Sequence, residues 1–107
     1  MLARFLGEAA PPVVMQDLTI AQILAEQGKV ATAQAQVARV EAAAAAIPPI
    51  APQLDLTRAI VALAARDRSA AEAALAKAEA GFTALGPAGT FGLQAVAKTR
   101  VRVAKLP

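Results

Sequence analysis

Four basic side chains lie near the end of this sequence. Lys98 and Arg102 stand four residues apart, which puts them on one face of a helix, with Arg100 and Lys105 close by. Such a cluster can hold an anion: an acidic partner, a phosphate or a nucleic-acid backbone. The plain alternative is a solvated helix end, because a cation near a helix C-terminus gains roughly 0.3–1 kcal/mol from the helix dipole. No aromatic residue follows Phe91 to stack on a base, so nucleic acid is an unfavoured partner. Glu72 and Glu79 lie seven residues apart with no other acid beside them, a poor start for a carboxylate pair in acid–base work. Ser69 and the threonines have no base to activate them, since the chain has no His and no Cys. The same absences remove the usual zinc, copper and haem ligands and any disulfide. Closely spaced acids for a calcium loop are missing too. No catalytic residue, cofactor, metal or small-molecule substrate is indicated, and the chain is not expected to be an enzyme.

Composition limits what can position these groups. A chain of 107 residues is one domain at most. Apolar residues make up 57% of it, but 31 residues are alanine. Each buried CH₂ adds roughly 0.8 kcal/mol, so an alanine core is shallow for its hydropathy. Alanine also favours helix and lets helix backbones approach closely. The net charge of +3 is uneven. Up to Glu79 there are seven basic and eight acidic residues; after it there are four basic residues and no acid. Met1 to Ala10 make a poor secretory leader, with Arg4 and an early Glu8. No run of 18 apolar residues exists for a transmembrane helix. A cysteine-free chain without these signals fits a cytoplasmic location.

Helical periodicity divides the chain. Residues 1–14 read as a lead-in, with Leu2, Phe5 and Leu6 as a weak apolar turn before Pro11-Pro12. A first helix begins near Pro12 to Met15, and Gly28 closes it in the place of a left-handed cap. A second runs from about Val30 to Ala46, with Val30, Ala33, Val37 and Val40 on its buried face. Ile47-Pro48-Pro49-Ile50-Ala51-Pro52 breaks the pattern. A third helix covers about Gln53 to Ala65. Ser69 and Glu72 fit a capping box for a fourth, which runs to about Leu85. Gly86-Pro87-Ala88-Gly89 stops it. Thr90 then caps a fifth from Phe91 to about Ala104, with Leu93, Val96, Ala97, Val103 and Ala104 on one face. Thr99 to Val103 also alternates as a strand would, but a lone strand has no pairing partner in a helical chain.

Two of these stretches superpose at a shift of 38 residues. Ala21 and Ala33 recur as Ala59 and Ala71, Val37 as Leu75, and Val40 as Ala78. The unit resembles the tetratricopeptide repeat, in which two antiparallel helices cross at small residues twelve positions apart. Leu85-Gly86-Pro87 before a new helix is similar to the linker of the longer, kinesin-light-chain-like variants, which are common in tails of bacterial signalling proteins. The sequence departs from the family in lacking its aromatic positions, in its displaced prolines, and in Arg66, which stands where Gly28 stands in the first unit.

The resemblance implies an all-α array of about five helices over residues 15–104. Unit one is 15–46, unit two is 53–85, and 90–104 is the first helix of a third. In the family the first helices line a concave face. That places Leu18 and Gln22 of unit one, Leu56, Ile60 and Leu63 of unit two, and Lys98 and Arg102 of the third on a partner-binding surface. At these concave positions the first two units carry none of the Lys, Arg or Asn with which members of the family clamp a peptide's terminal carboxylate, so no clamp is implied. An apolar groove suits an amphipathic helix from a protein partner or from a second copy of the chain. The bland alternative is that the apolar stripe is core. The expected function is a non-catalytic protein-interaction or scaffold module, as part or accessory of a larger bacterial-type signalling or regulatory assembly. The other reading is a small basic helical protein that binds an anionic polymer or membrane surface through its C-terminal helix. A generic alanine-rich bundle is the reading without a repeat.

Overall fold

The computed structural model describes residues 11–107. The part of the lead-in that holds Leu2, Phe5 and Leu6 lies outside them. The described residues are all-α, with five helices and no strand. They are α1 (Pro11–Glu26), α2 (Val30–Ala45), α3 (Ala51–Ala64), α4 (Arg68–Ala84) and α5 (Thr90–Ala104). The alternating segment Thr99 to Val103 is helical.

α1 packs on α2, and α3 packs on α4, each pair joined by a three-residue turn that reverses the chain. α1, α3 and α5 lie side by side in one layer. α2 sits against α1 and α3, and α4 sits against α3 and α5. α3 therefore touches every other helix. The core is two clusters that meet on it. Val14, Leu18, Ala21, Ala33, Val37 and Val40 lead the first. Leu56, Ala59, Ala71, Leu75, Phe82 and Val96 lead the second. Ile60 packs against both. Ala21, Ala33, Ala59 and Ala71 are all fully buried.

The two hairpin turns are the same object. In the first, the Gly28 amide donates to Ala25 at 2.9 Å and the Lys29 amide to Leu24 at 2.9 Å. In the second, Arg66 donates to Leu63 at 3.0 Å and Asp67 to Ala62 at 2.9 Å. Both are Schellman caps, which need a left-handed residue at the turn. Gly28 supplies it with φ 81°, and Arg66 supplies it with φ 60°. Gly28 takes this conformation freely; Arg66 brings its Cβ against its own carbonyl to do so.

Three sequence expectations about helix starts are corrected. α3 begins at Ala51 rather than near Gln53, because Pro52 fits the first turn, where a missing amide costs nothing. The Ser69–Glu72 capping box does not form. Asp67 is the cap, its carboxylate accepting from the Ala70 amide at 3.1 Å, which sets the helix start two residues earlier and leaves Ser69 inside the first turn. Thr90 does not cap α5. It is the first residue of the helix, and its hydroxyl donates back to the Pro87 carbonyl at 2.9 Å.

The buried face of α5 also differs from expectation. Gly92, Val96, Thr99 and Val103 are buried, whereas Ala97 and Ala104 are exposed. The cause is the 3₁₀ turn Gly86–Gly89, which docks α5 on Phe82. A Cβ on Gly92 would stand 2.2 Å from the Phe82 ring, and one on Gly89 would stand 1.9 Å from the Phe82 carbonyl oxygen. Phe82 is the largest fully buried side chain, and these glycines make room for it.

Two substitutions follow from this packing. Arg66→Gly is expected to raise stability by about 0.5–1 kcal/mol by relieving the left-handed strain, read as a higher urea midpoint. Gly92→Ala gains roughly 1 kcal/mol of helix propensity but overpacks Phe82 by roughly 1–3 kcal/mol or more. A net loss is expected in the same measurement, where an ordinary helical Gly→Ala change would give a gain.

Candidate functional site

The residues assigned to a partner-binding face separate into three groups. Leu18, Leu56 and Leu63 belong to the core and present nothing to a partner, because helices on either side cover that stripe. Gln22 and Ile60 are half-buried where α1 and α3 meet. Lys98 and Arg102 are exposed on α5. The surface that remains is polar and spans α1, α3 and α5.

Hydrogen bonds fix this surface. Gln22 Nε2 donates to Thr57 Oγ1 at 2.9 Å, and Thr57 in turn donates to the Gln53 carbonyl at 2.8 Å. Thr57 is fully buried, so both roles of its hydroxyl are filled. Near the helix ends, Arg102 makes a two-pronged pair with Glu26, at 2.9 and 3.4 Å. Seventy-six residues separate the two in sequence. The pair joins the last turn of α1 to the last turn of α5 and so passes over the end of α3. Both side chains are about half exposed, so the bridge contributes at most about 1 kcal/mol.

The C-terminal basic cluster is half neutralised. Arg100 Nη1 and Nη2 hold the two Glu79 carboxylate oxygens at 2.7 and 3.2 Å. The Arg100 hydrogen bond, aided by its charge, holds the Glu79 carboxyl below the ordinary value of 4.5. The guanidinium is shifted upward by the same bond. Lys98 and Lys105 stand outside every ion pair formed among the described residues. Glu79–Arg100 also has a counterpart: Glu41 at the same place in α2 pairs with Arg58 in α3. Glu41 and Glu79 are 38 residues apart, so each hairpin's second helix offers a glutamate to an arginine in the following helix. The sequence reading passed over Glu41 and Arg58; the signal was the glutamate repeat at the same shift as the alanines.

A shallow depression of about 240 Å³ lies between α2 and α4, with Val37, Val61, Ala62 and Ala65 in its lining. Arg58 on its edge is already paired with Glu41 and Asp55. No three His, Cys, Asp or Glu side chains gather among the described residues where they could hold a metal ion. No helix among them is long and apolar enough to cross a membrane.

Among the described residues, the large apolar side chains left in solvent lie on α1 and α5. They are Ile20 and Ile23 on α1, 38% and 51% exposed, and Phe91 and Val101 on α5, 83% and 55% exposed. The sequence reading did not select Ile20, Ile23 or Phe91, because it sought the binding stripe on the faces that turned out to be core.

The Glu79–Arg100 pair makes a pH prediction. The carboxyl pKa is lowered in the folded state, so its stabilisation is complete above the ordinary glutamate range and is lost as pH falls through the folded value. Urea midpoints measured from pH 5.5 down to about 3 should fall less steeply in Glu79→Gln than in the wild type. No protein-family model, curated protein or solved structure matches this chain.

Proposed function

We propose that the chain is a non-catalytic protein-interaction or scaffold module, a tetratricopeptide-like array that works within a larger bacterial-type signalling or regulatory assembly. The observation that carries the reading is the exposure of Ile20, Ile23, Phe91 and Val101 on the first and last helices of the stack. Large apolar side chains left outside a folded chain and grouped on helix faces are the usual mark of a protein contact. Two successive hairpins, small residues buried at both helix crossings and two identical turns support the repeat reading.

The second reading, contact with an anionic polymer or membrane surface through α5, is favoured by Lys98 and Lys105. It is weakened by the internal pairing of Arg100 and Arg102, which leaves two free cations rather than four. Two phosphate contacts give only a shallow salt dependence and little affinity.

Site-specific photo-crosslinking separates the two. A photo-reactive amino acid in place of Ile23 or Phe91 should yield protein adducts in the source cell, and one in place of exposed Ala73 on α4 should not. Equal labelling at all three positions would refute the reading. Saturable binding to anionic vesicles or duplex DNA at about 0.15 M salt, lost in Lys98→Gln/Lys105→Gln, would favour the second.

A further inference from the structure

We propose that the end of the stack where α1, α3 and α5 finish is a binding rim for an extended acidic segment of a partner protein. The rim is separate from the apolar faces of α1 and α5 and does not depend on what those faces contact.

Three stretches of chain meet at this end: Glu26–Lys29, Ala65–Arg68 and Arg102–Lys105. Side chains tie them together. Arg102 reaches Glu26 at 2.9 Å, and Arg68 Nη2 donates to the Leu106 carbonyl. The rim carries five bases, Lys29, Arg66, Arg68, Arg102 and Lys105, against two acids, Glu26 and Asp67. All seven side chains belong to exposed residues. Both acids are already engaged within the chain, Glu26 by Arg102 and Asp67 by the Ala70 amide that it caps. Lys29, Arg66 and Lys105 form no ion pair among the described residues. Arg68 also keeps its charge uncancelled, because its partner is a neutral carbonyl. The other described residues carry five bases and five acids, so the excess positive side-chain charge stands at this one end. A field of one sign along one edge attracts a partner of the other sign.

Arg66 is the residue that points to function. The first hairpin turn has the same hydrogen bonds and meets the left-handed requirement with Gly28, at no strain. The second meets it with Arg66 at φ 60°. The fold therefore asks for glycine at this place and has arginine, whose guanidinium forms no ion pair among the described residues. Backbone strain held at a position of this kind is a mark of binding rather than of folding. What the strain retains is a cation aimed into solvent at the middle of the rim.

The layer sets the shape of the ligand. α1, α3 and α5 lie side by side, and packed helices stand about 8–10 Å apart, so the cations of successive units step by about that distance. An extended peptide rises about 3.3 Å per residue, so an acid at every third residue meets one unit after another. Gln27, Gly28, Ala65 and Ser69 lie between the cations. The rim has no aromatic side chain to stack on a base, and Leu106, its one large apolar residue, is half-buried. An acidic peptide fits such a surface better than a nucleic acid or a lipid bilayer does.

The test is fluorescence anisotropy of a labelled peptide of repeated Glu-Ser-Gly, titrated with the purified full-length chain. The wild type should bind it saturably, and binding should weaken as salt rises from about 0.02 to 0.2 M. Arg66→Gly should lower affinity about two- to fivefold, the scale of one exposed ion pair. The same substitution is expected to raise the urea midpoint, so the loss does not come from unfolding. Lys29→Gln/Arg66→Gly/Lys105→Gln should abolish binding. Lys77→Gln, which removes an exposed cation of α4 away from the rim, should leave it unchanged. A wild type without saturable binding, an Arg66→Gly variant that binds as tightly as the wild type, or an equal loss in Lys77→Gln overturns the proposal. Tighter binding of duplex DNA or of anionic vesicles than of the peptide overturns it too. None of these outcomes touches crosslinking at Ile23 or Phe91, so the rim can fail while the interaction module stands, and the reverse.

Discussion

A core built largely of small side chains is the constraint on which this structure depends. Ala21 and Ala33 of the first hairpin and Ala59 and Ala71 of the second are fully buried. Such side chains gain little from water exclusion, because an alanine buries one methyl. Larger residues supply the remaining apolar bulk: Leu18 and Val37 in one cluster, Leu75 and Phe82 in the other. Fine control of the geometry then falls to caps, short polar contacts and ion pairs.

Those polar contacts follow the same period as the alanines. Glu41–Arg58 and Glu79–Arg100 tie each hairpin to the helix after it. Gln22–Thr57 ties α1 to α3 across one layer, and Glu26–Arg102 spans all three helices of that layer. Each is modest alone in solvent. These four each join a helix of one hairpin to a later element, whereas Gln36 Nε2, which donates to Asp17 Oδ1 at 3.1 Å, ties α2 to its own hairpin mate α1.

Much of the fold was legible from spacing. Five helices, the buried face of the second, and the left-handed turn at Gly28 all follow from periodicity and glycine chemistry, because those signals are local. The helix starts at Ala51, Arg68 and Thr90 were less legible. There several residues could cap, and the choice between Asp67 and Ser69 depends on where α3 releases the chain. The candidate site was read least well. An apolar stripe on a first helix looks the same whether it faces a groove or a neighbour, and only assembled helices show that Leu18, Leu56 and Leu63 are covered. Phe91 was hidden for the reverse reason, since it lies on a helix whose buried face sequence alone misassigned in part: Val96 and Val103 are buried, but Ala97 and Ala104 are not.

That misassignment leads back to the Gly86–Gly89 turn. Buried Leu56, Ala59 and Leu63 of α3 correspond to buried Val96, Thr99 and Val103 of α5 at a shift of 40, two more than the repeat between the first units. Two added residues rotate a helix by about 200°. At a shift of 38, Gln94, Ala97 and Val101 would have turned inward, and Val96 and Val103 would have met solvent. The last helix thus carries Phe91 and Val101 opposite its buried Val96 and Val103, and the length of the preceding loop acts together with the fit of Gly89 and Gly92 around Phe82 to set which face is displayed. A linker of this kind works as a gear: a two-residue insertion or deletion re-aims the terminal surface without a single change in the helix itself.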